Sequence, residues 1–492
     1  MATTWITDAT CLTHEDGGWI SARRSIEIAS GRIVALHHYT PYIAPEDEVI
    51  VGTGLLAIPG LVNAHTHSPD NLLRGSAPQL PLELWSLHSA AGREGRTPRQ
   101  CYISAALGGI EMLRTGTTAL LDHVRISPEL DGACLDAIAQ AYLDLGLRAV
   151  VAPIVADRPV ASTLPLDSDD LRDLDLSAYG MRALLPASEQ IAIAEAFVER
   201  WHGCEQRIMA GIGPSAPQRC SDDLLIGAAA LAARHSLILH LHALETRAQQ
   251  IMGHRLYGKG TVAHLDDLGL LGPKTNLAHA IWIEGDDLDR IARTDTAIIH
   301  NPVSNARLGS GFCPLADYLE RGIRVGLGTD SACCNDSNNL FETTKWAGLL
   351  HNPVRPHARW LGAAAALRLA TQGSADAIGL GSSVGNLAPG QSADITMLRL
   401  DTPAFTPLND VVRQLVLSEN GSSVVHVVVA GETVLRGGVC TRLNESAIWE
   451  EAQEYAARQH LANCQIQANA RKLAAPIEAM FARIGRDRST SQ

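Results

Sequence analysis

Two spacings of apolar residues alternate along the chain. From Thr3 to about Gly54 short apolar runs are broken by turn residues: TWITDATCL, then GGWISARRSIEIASGRIVAL with a turn at Ser30 and Gly31. This predicts antiparallel hairpins. The same texture returns in ADITMLRLD (393–401) and SSVVHVVVAGETVLRGG (422–438), so pieces from opposite ends of the chain are expected to join in one small sheet. Between about Leu56 and Gly379, eight strand-like segments alternate with helix-like ones: LLAIPGLVNAH, TTALLDHV, RAVVAPIVAD, RIMAGIGPSA, SLILHLHA, TNLAHAI, TAIIHNP and RVGLGTDS. Helical periodicity is clear over 100–114 and 223–234. Eight such units predict an α/β fold, a (β/α)8 barrel whose active site lies at the C-terminal ends of the strands. The segment after Asn444 has a broad apolar stripe and predicts helix. The expected division is 1–57 with 385–440 as a composite β-sandwich, 58–384 as the barrel, and 441–492 as a helical tail.

A length of 492 residues suggests about three domains at roughly 150 residues each, and one large barrel reduces that to two and a tail. With 46% apolar and 19% charged residues the chain can bury a sizeable core. Its net charge of −13 offers no basic face to a phosphate backbone or an anionic bilayer, which argues against nucleic acid and membrane partners. The N-terminus lacks the basic and apolar regions of a signal peptide, and no apolar run reaches the ~18 residues of a membrane span. A cytoplasmic protein is expected. Ten cysteines without CxxC spacing read as reduced residues, mostly in the core.

The barrel pattern demands that metal-type residues fall at strand ends, and they do: His65 and His67 on the first strand, His242 on the fifth, His279 on the sixth, His300 on the seventh and Asp330 on the eighth. Residues i and i+2 of a strand share a side, so His65 and His67 can bind one ion. Imidazole nitrogens with a carboxylate oxygen suit zinc or a similar first-row ion, and a free coordination position makes such a site catalytic. His240, two before His242, faces the same way one layer deeper, as barrel filler or as a contact behind the ligands.

The motifs PGLVNAHTH (59–67), HALET (242–246), LAHA (277–280), HNPVSN (300–305) and GTDS (328–331) occur in an order that resembles the amidohydrolase superfamily. Within it the chain is most similar to the branch of S-adenosylhomocysteine/methylthioadenosine-type deaminases, guanine deaminases and triazine hydrolases. The resemblance implies a distorted TIM barrel with a small β-sandwich built from both chain ends. It implies one divalent ion, zinc or iron, held by His65, His67, His242 and Asp330. Glu245 takes the position of the family's proton shuttle, and His279 that of the histidine hydrogen-bonded to the metal-bound water or to the forming tetrahedral oxygen. Asp330 then accepts the water's proton, and Glu245 protonates a ring nitrogen and the leaving group. Two-metal members of the superfamily bridge their ions with a carboxylated lysine on strand 4; no lysine precedes Lys259 here, so a single ion is expected.

The implied reaction is hydrolytic deamination of an amino-substituted nitrogen heterocycle such as a purine, pterin, pyrimidine or triazine, with release of ammonia. The same ligands would serve to displace chloride, an alkylamine or a thioether, or to open an amide. A scaffold that has lost catalysis is the reading of another class, and the intact ligand set argues against it. Trp85, His123, Gln218, His300, Asn305 and Ser331 are candidates for substrate contact, and Cys333 and Cys334 for pocket lining. His123, with Asp122, serves equally well as a buried polar anchor, and Asn305 as a residue that shapes its loop. Glu111 and Arg114 are expected to form an ion pair within their helix or from helix to loop. A homodimer or larger homo-oligomer is implied by resemblance.

Overall fold

The structure, a computed structural model, describes residues 3–93, 95–167, 184–470 and 474–486. Residues 471–473 and 487–492 of the predicted tail lie outside them. Nine strands form one mixed sheet: β1 (Thr4–Glu15), β2 (Gly18–Ala29), β3 (Arg32–His37), β4 (Glu48–Val51), β5 (Leu55–Pro59), and later β14 (Ile395–Arg399), β15 (Val424–Val429), β16 (Glu432–Arg436) and β17 (Val439–Cys440). The two ends of the chain meet where β5 pairs antiparallel with β14, Ala57 opposite Met397. A register shift between Ile6 and Ala9, with Asp8 at φ 58°, bends β1. Ile6, Ile26 and Ile33 then share one core with Ile395, Met397 and Val428.

The other eight strands are parallel and follow the chain: β6 (Leu61–Thr66), β7 (Thr117–Val124), β8 (Arg148–Val155), β9 (Ile208–Pro214), β10 (Ile238–Ala243), β11 (Thr275–His279), β12 (Ala297–His300) and β13 (Val325–Leu327). Each falls on one of the eight predicted segments. The ring closes through a parallel bridge between Thr66 and Asp330 and a bond from Asp330 N to His65 O of 2.9 Å. Asn63 fastens the seam: its Nδ2 donates to Thr329 Oγ1 at 2.7 Å, and its Oδ1 accepts from Thr329 N at 3.0 Å. The fold is therefore an α/β barrel with a separate mixed sheet from the chain ends.

The helix predicted over 100–114 runs Pro98–Arg114, and the one over 223–234 runs Asp222–His235. Both begin at a capping hydroxyl, Thr97 accepting from Gln100 N and Ser221 from Leu224 N. Glu111 and Arg114 are not partners of each other. Glu111 takes Arg74 from the loop after β6, and Arg114 takes Glu445 at the start of the tail, because the side chains three apart reach across to neighbouring elements. The tail forms the helices Glu445–Ala470 and Ala474–Arg486. In the second, Ile477 and Met480 pack on Ala248 beside Leu84 and Leu87. No helix among the described residues is long and apolar enough to cross a membrane.

Arg148 at the start of β8 ties the barrel to the other sheet. Its Nε and Nη2 each donate to Asp394 at 3.2 Å, and both side chains are buried. Removing one partner strands the other charge, so R148M should lower stability by about 3–5 kcal/mol, with part recovered in R148M/D394L. Denaturant titration reads this, and an unchanged midpoint in the single variant would contradict it.

Candidate active site

The ends of β6, β10, β11 and β13 bring their polar side chains together through an unusual backbone. Leu244, His279 and Asp330 adopt left-handed φ values of 50°, 73° and 62°, a conformation costing non-glycine residues about 1–3 kcal/mol each. Each turns the chain sharply where a strand stops. Gly328 is required by close approach, since a Cβ there would lie 2.6 Å from His65 Cβ.

Four donor atoms converge. His242 Nε2 lies 3.2 Å from His67 Nε2, which lies 3.3 Å from Asp330 Oδ1; His65 Nε2 is 3.5 Å from the same oxygen and has no hydrogen-bond partner. Ligands ~2.0–2.1 Å from a tetrahedral zinc are separated by roughly 3.3–3.4 Å, close to these three spacings. The opposite ring nitrogens are all occupied. His67 Nδ1 donates to His123 O at 2.6 Å and His242 Nδ1 to Ser215 O at 2.5 Å. His65 Nδ1 is 2.7 Å from His240 Nε2, and His240 Nδ1 in turn meets Asn276 Oδ1. Because Asn276 Oδ1 can only accept, His240 Nε2 accepts and His65 Nδ1 donates. Every Nε2 therefore presents a lone pair to the centre.

Burial holds the imidazoles neutral: His65 is pushed down to about 4, and His242 and His240 well below the ordinary range, with neighbouring imidazoles adding to the effect. Burial works the same way on His67, but the Asp330 carboxylate outweighs it and raises that residue. Burial alone would raise Asp330, yet the adjacent His65 and His67 imidazoles hold it well below the usual carboxylate range. Ser304 Oγ donates to Asp330 Oδ2 at 2.6 Å and Ser331 N to Oδ1 at 2.7 Å.

Beside this cluster His279 Nε2 stands 3.8 Å from Glu245 Oε2 and 3.9 Å from Asp330 Oδ2. Its Nδ1 lies 2.8 Å from Asn305 Oδ1 and 3.3 Å from Asn301 Nδ2, and the shorter contact has Nδ1 donating to Asn305. Burial pushes the Glu245 carboxyl up to about 7, so it exchanges a proton near neutrality. His67, His242, Asp330, Glu245 and His279 line a cavity of about 320 Å3, at the lower end of the roughly 300–1,000 Å3 typical of small-molecule sites.

Of the residues predicted to touch substrate, Trp85 and Gln218 line this cavity. The other four lie behind its wall. His123 is fully buried, its Nε2 donating to Gly213 O at 3.2 Å, where the missing Cβ of Gly213 leaves room for the ring. Asn305 orients His279 instead. Ser331 Oγ donates to Asp70 at 2.6 Å. His300 is fully buried next to His351, with both ring nitrogens unpartnered, and we have no physical account of it. Cys334 lines the cavity, whereas Cys333 offers its carbonyl to Trp85 Nε1 at 3.1 Å. Sequence reasoning missed Glu83, whose Oε1 accepts from Thr246 Oγ1 at 2.5 Å while its buried Oε2 has no partner, and the arginines Arg93, Arg125 and Arg219. Glu83 stands two residues before Trp85 in the LELW stretch, an offset that does not share a helical face, so only nearness in sequence to a predicted pocket residue pointed to it.

A parallel barrel with a buried His/Asp cluster and an adjacent carboxyl at its C-terminal face is the build of a metal-type hydrolase. The profile of the amidohydrolase family matches residues 56–434, and the chain belongs to this family. It is 34% identical to the 5'-deoxyadenosine deaminase of Methanothermobacter thermautotrophicus, over 90% of this chain and 96% of that protein. It is 35% identical to the 5-methylthioadenosine/S-adenosylhomocysteine deaminase of Thermococcus kodakarensis, over 84% and 90% respectively. Among solved structures it is similar to an adenosine deaminase from Xanthomonas campestris with bound zinc (TM-score 0.82, 26% identity, 94% of this chain and 99% of that one). It is also similar to the atrazine chlorohydrolase of Arthrobacter aurescens complexed with zinc (TM-score 0.82, 25% identity, 92% and 100%). The protein is a hydrolase acting on carbon–nitrogen bonds.

His240 touches no cavity, yet it fixes the His65 tautomer. H240L should weaken the cluster's hold on a divalent ion by about 10–100-fold, read by competition with a chelator. Equal affinity would show that the His65 ring needs no such support.

Proposed function

We propose that His65, His67, His242 and Asp330 hold one zinc ion and that the protein deaminates an adenosine-like nucleoside hydrolytically. The observation that carries this reading is the placement of His279 Nε2 between Glu245 and Asp330 beside four convergent donor atoms. Three imidazoles and a carboxylate suit zinc, and the zinc-bearing neighbours support that choice. His123 also lies among the clustered histidines, with its Nδ1 buried and unpartnered; lacking a charge to offer a dication, it is a weaker fourth ligand than Asp330. β9, which carries strand 4 of the barrel, has no lysine, in keeping with a single ion.

A bound divalent ion would lower the pKa of a water at the cluster enough for it to attack at neutral pH. The chain's own residues do the rest. With Nδ1 bound to Asn305, His279 Nε2 accepts a hydrogen bond from the attacking water and aims its lone pair at the ring carbon that bears the amino group. Asp330 Oδ2, held by Ser304, receives the water's proton. Glu245 gives its proton to the adjacent ring nitrogen as the carbon–oxygen bond forms. Now unprotonated, it takes the remaining proton of the added hydroxyl and passes it to the amino group, which leaves as ammonia as the carbonyl forms and the carbon–nitrogen bond breaks. The proton held by Asp330 then restores Glu245. The unpartnered Oε2 of Glu83 is placed to accept from a hydroxyl of the sugar.

E245Q keeps the shape and loses the proton carrier. Turnover should fall by at least 10²-fold, the lower end of general acid–base contributions, with the ion retained. Near-normal turnover would remove Glu245 from the mechanism. Adenosine, 5'-deoxyadenosine, 5'-methylthioadenosine and S-adenosylhomocysteine, offered to the zinc-loaded protein, should each be tested for ammonia release, and at least one should release it. Release of chloride or an alkylamine from triazines, with no ammonia from any nucleoside, would instead favour displacement of another leaving group.

A further inference from the structure

The three arginines of the cavity differ in what neutralises them. Arg93 is matched: its Nε and Nη2 each donate to Asp70 at 2.6 Å. Arg125 follows β7 and makes one side-chain hydrogen bond among the described residues, from Nη2 to Ser215 Oγ at 2.9 Å. Arg219 closes the turn Pro217–Arg219 after β9, and its Nη1 is buried with no partner. Neither of these two pairs with a carboxylate among the described residues. Burial pushes Arg125 down to about 9, with the Arg219 and Arg93 cations adding to the effect, and Arg219 down to about 10. Half-buried guanidinium groups without counter-ions are costly to the fold and are kept where a ligand supplies the charge.

Among the described residues no carboxylate of the cavity pairs with them. Asp70 is taken by Arg93, Glu83 is bonded to Thr246, and Glu245 and Asp330 face His279. Glu129 is exposed at the rim. Position also matters: Ser215, which Arg125 grips by its hydroxyl, gives its carbonyl to His242 Nδ1. The two cations therefore lie on the β7–β9 side of the same cavity, within one small molecule's length of the donor cluster. A guanidinium fork fits the paired oxygens of a carboxylate or a phosphate.

We propose that Arg125 and Arg219 form a subsite for an anionic oxygen group, a carboxylate or a phosphate, carried by the substrate. The inference rests on the deaminase reading for the identity of the ring, but not for the binding of the anion. The test compares wild type with R125Q and R219Q on adenosine and 5'-deoxyadenosine (neutral), S-adenosylhomocysteine (carboxylate) and adenosine 5'-monophosphate (phosphate). One of the two anionic compounds should exceed the neutral ones in kcat/KM by tenfold or more, and which one identifies the group. Each variant should cut that selectivity at least tenfold; R125K and R219K, which keep the charge, should retain part of it. Selectivity that stays within twofold in both variants overturns the subsite. If no nucleoside is turned over, the deaminase reading fails and equilibrium dialysis of the same compounds decides the subsite. A tenfold loss of anion affinity in the variants then supports it, and equal affinities overturn it.

Discussion

The site depends on where four imidazole protons are held. His67 and His242 give theirs to backbone carbonyls of the neighbouring strand end and loop, and His65 gives its own to His240, which passes the demand to Asn276. In each case a fixed acceptor behind the ring leaves the lone pair in front. Burial makes the alternative, a charged imidazolium, expensive for His65, His240 and His242. Neutral rings facing one carboxylate suit a dication, and burial keeps His65 and His242 in that form, while Asp330 draws His67 the other way.

The barrel provides these acceptors because its strands stop in register. Asp330 bonds through its backbone to His65, so closing the ring and placing the carboxylate opposite the first two histidines are one event. Asn63 secures that seam from within the same motif as His65 and His67. The left-handed residues at Leu244, His279 and Asp330 are strained conformations at the very positions where side chains must leave the strand direction. The packed barrel around them keeps that strain from relaxing.

The eight strands were legible because parallel strands covered by helices are nearly continuous apolar runs, and the strands of the composite end sheet because their residues alternate. His65, His67, His242, His279 and Asp330 stood out because a polar residue ending such a run is conspicuous. What lay behind the wall was not legible. His123, Ser331 and Asn305 also end or follow strands, but their partners, Gly213, Asp70 and His279, come from distant parts of the chain, and only the fold shows that they are spent on those partners. Arg125 and Arg219 were overlooked for the converse reason. Charged residues in loops usually face water, and nothing in the sequence marks the ones that turn inward and lack a counter-charge.

The central claim is that tautomer-locked His65, His67 and His242, with Asp330, bind one ion. X-ray absorption at the zinc edge of the zinc-loaded protein, with metal content measured on the same sample, tests it directly. The account predicts one zinc per chain, three imidazole nitrogens at ~2.0–2.1 Å and carboxylate or water oxygen completing the shell. A metal–metal scattering path, or a shell with fewer than three imidazoles, would contradict it.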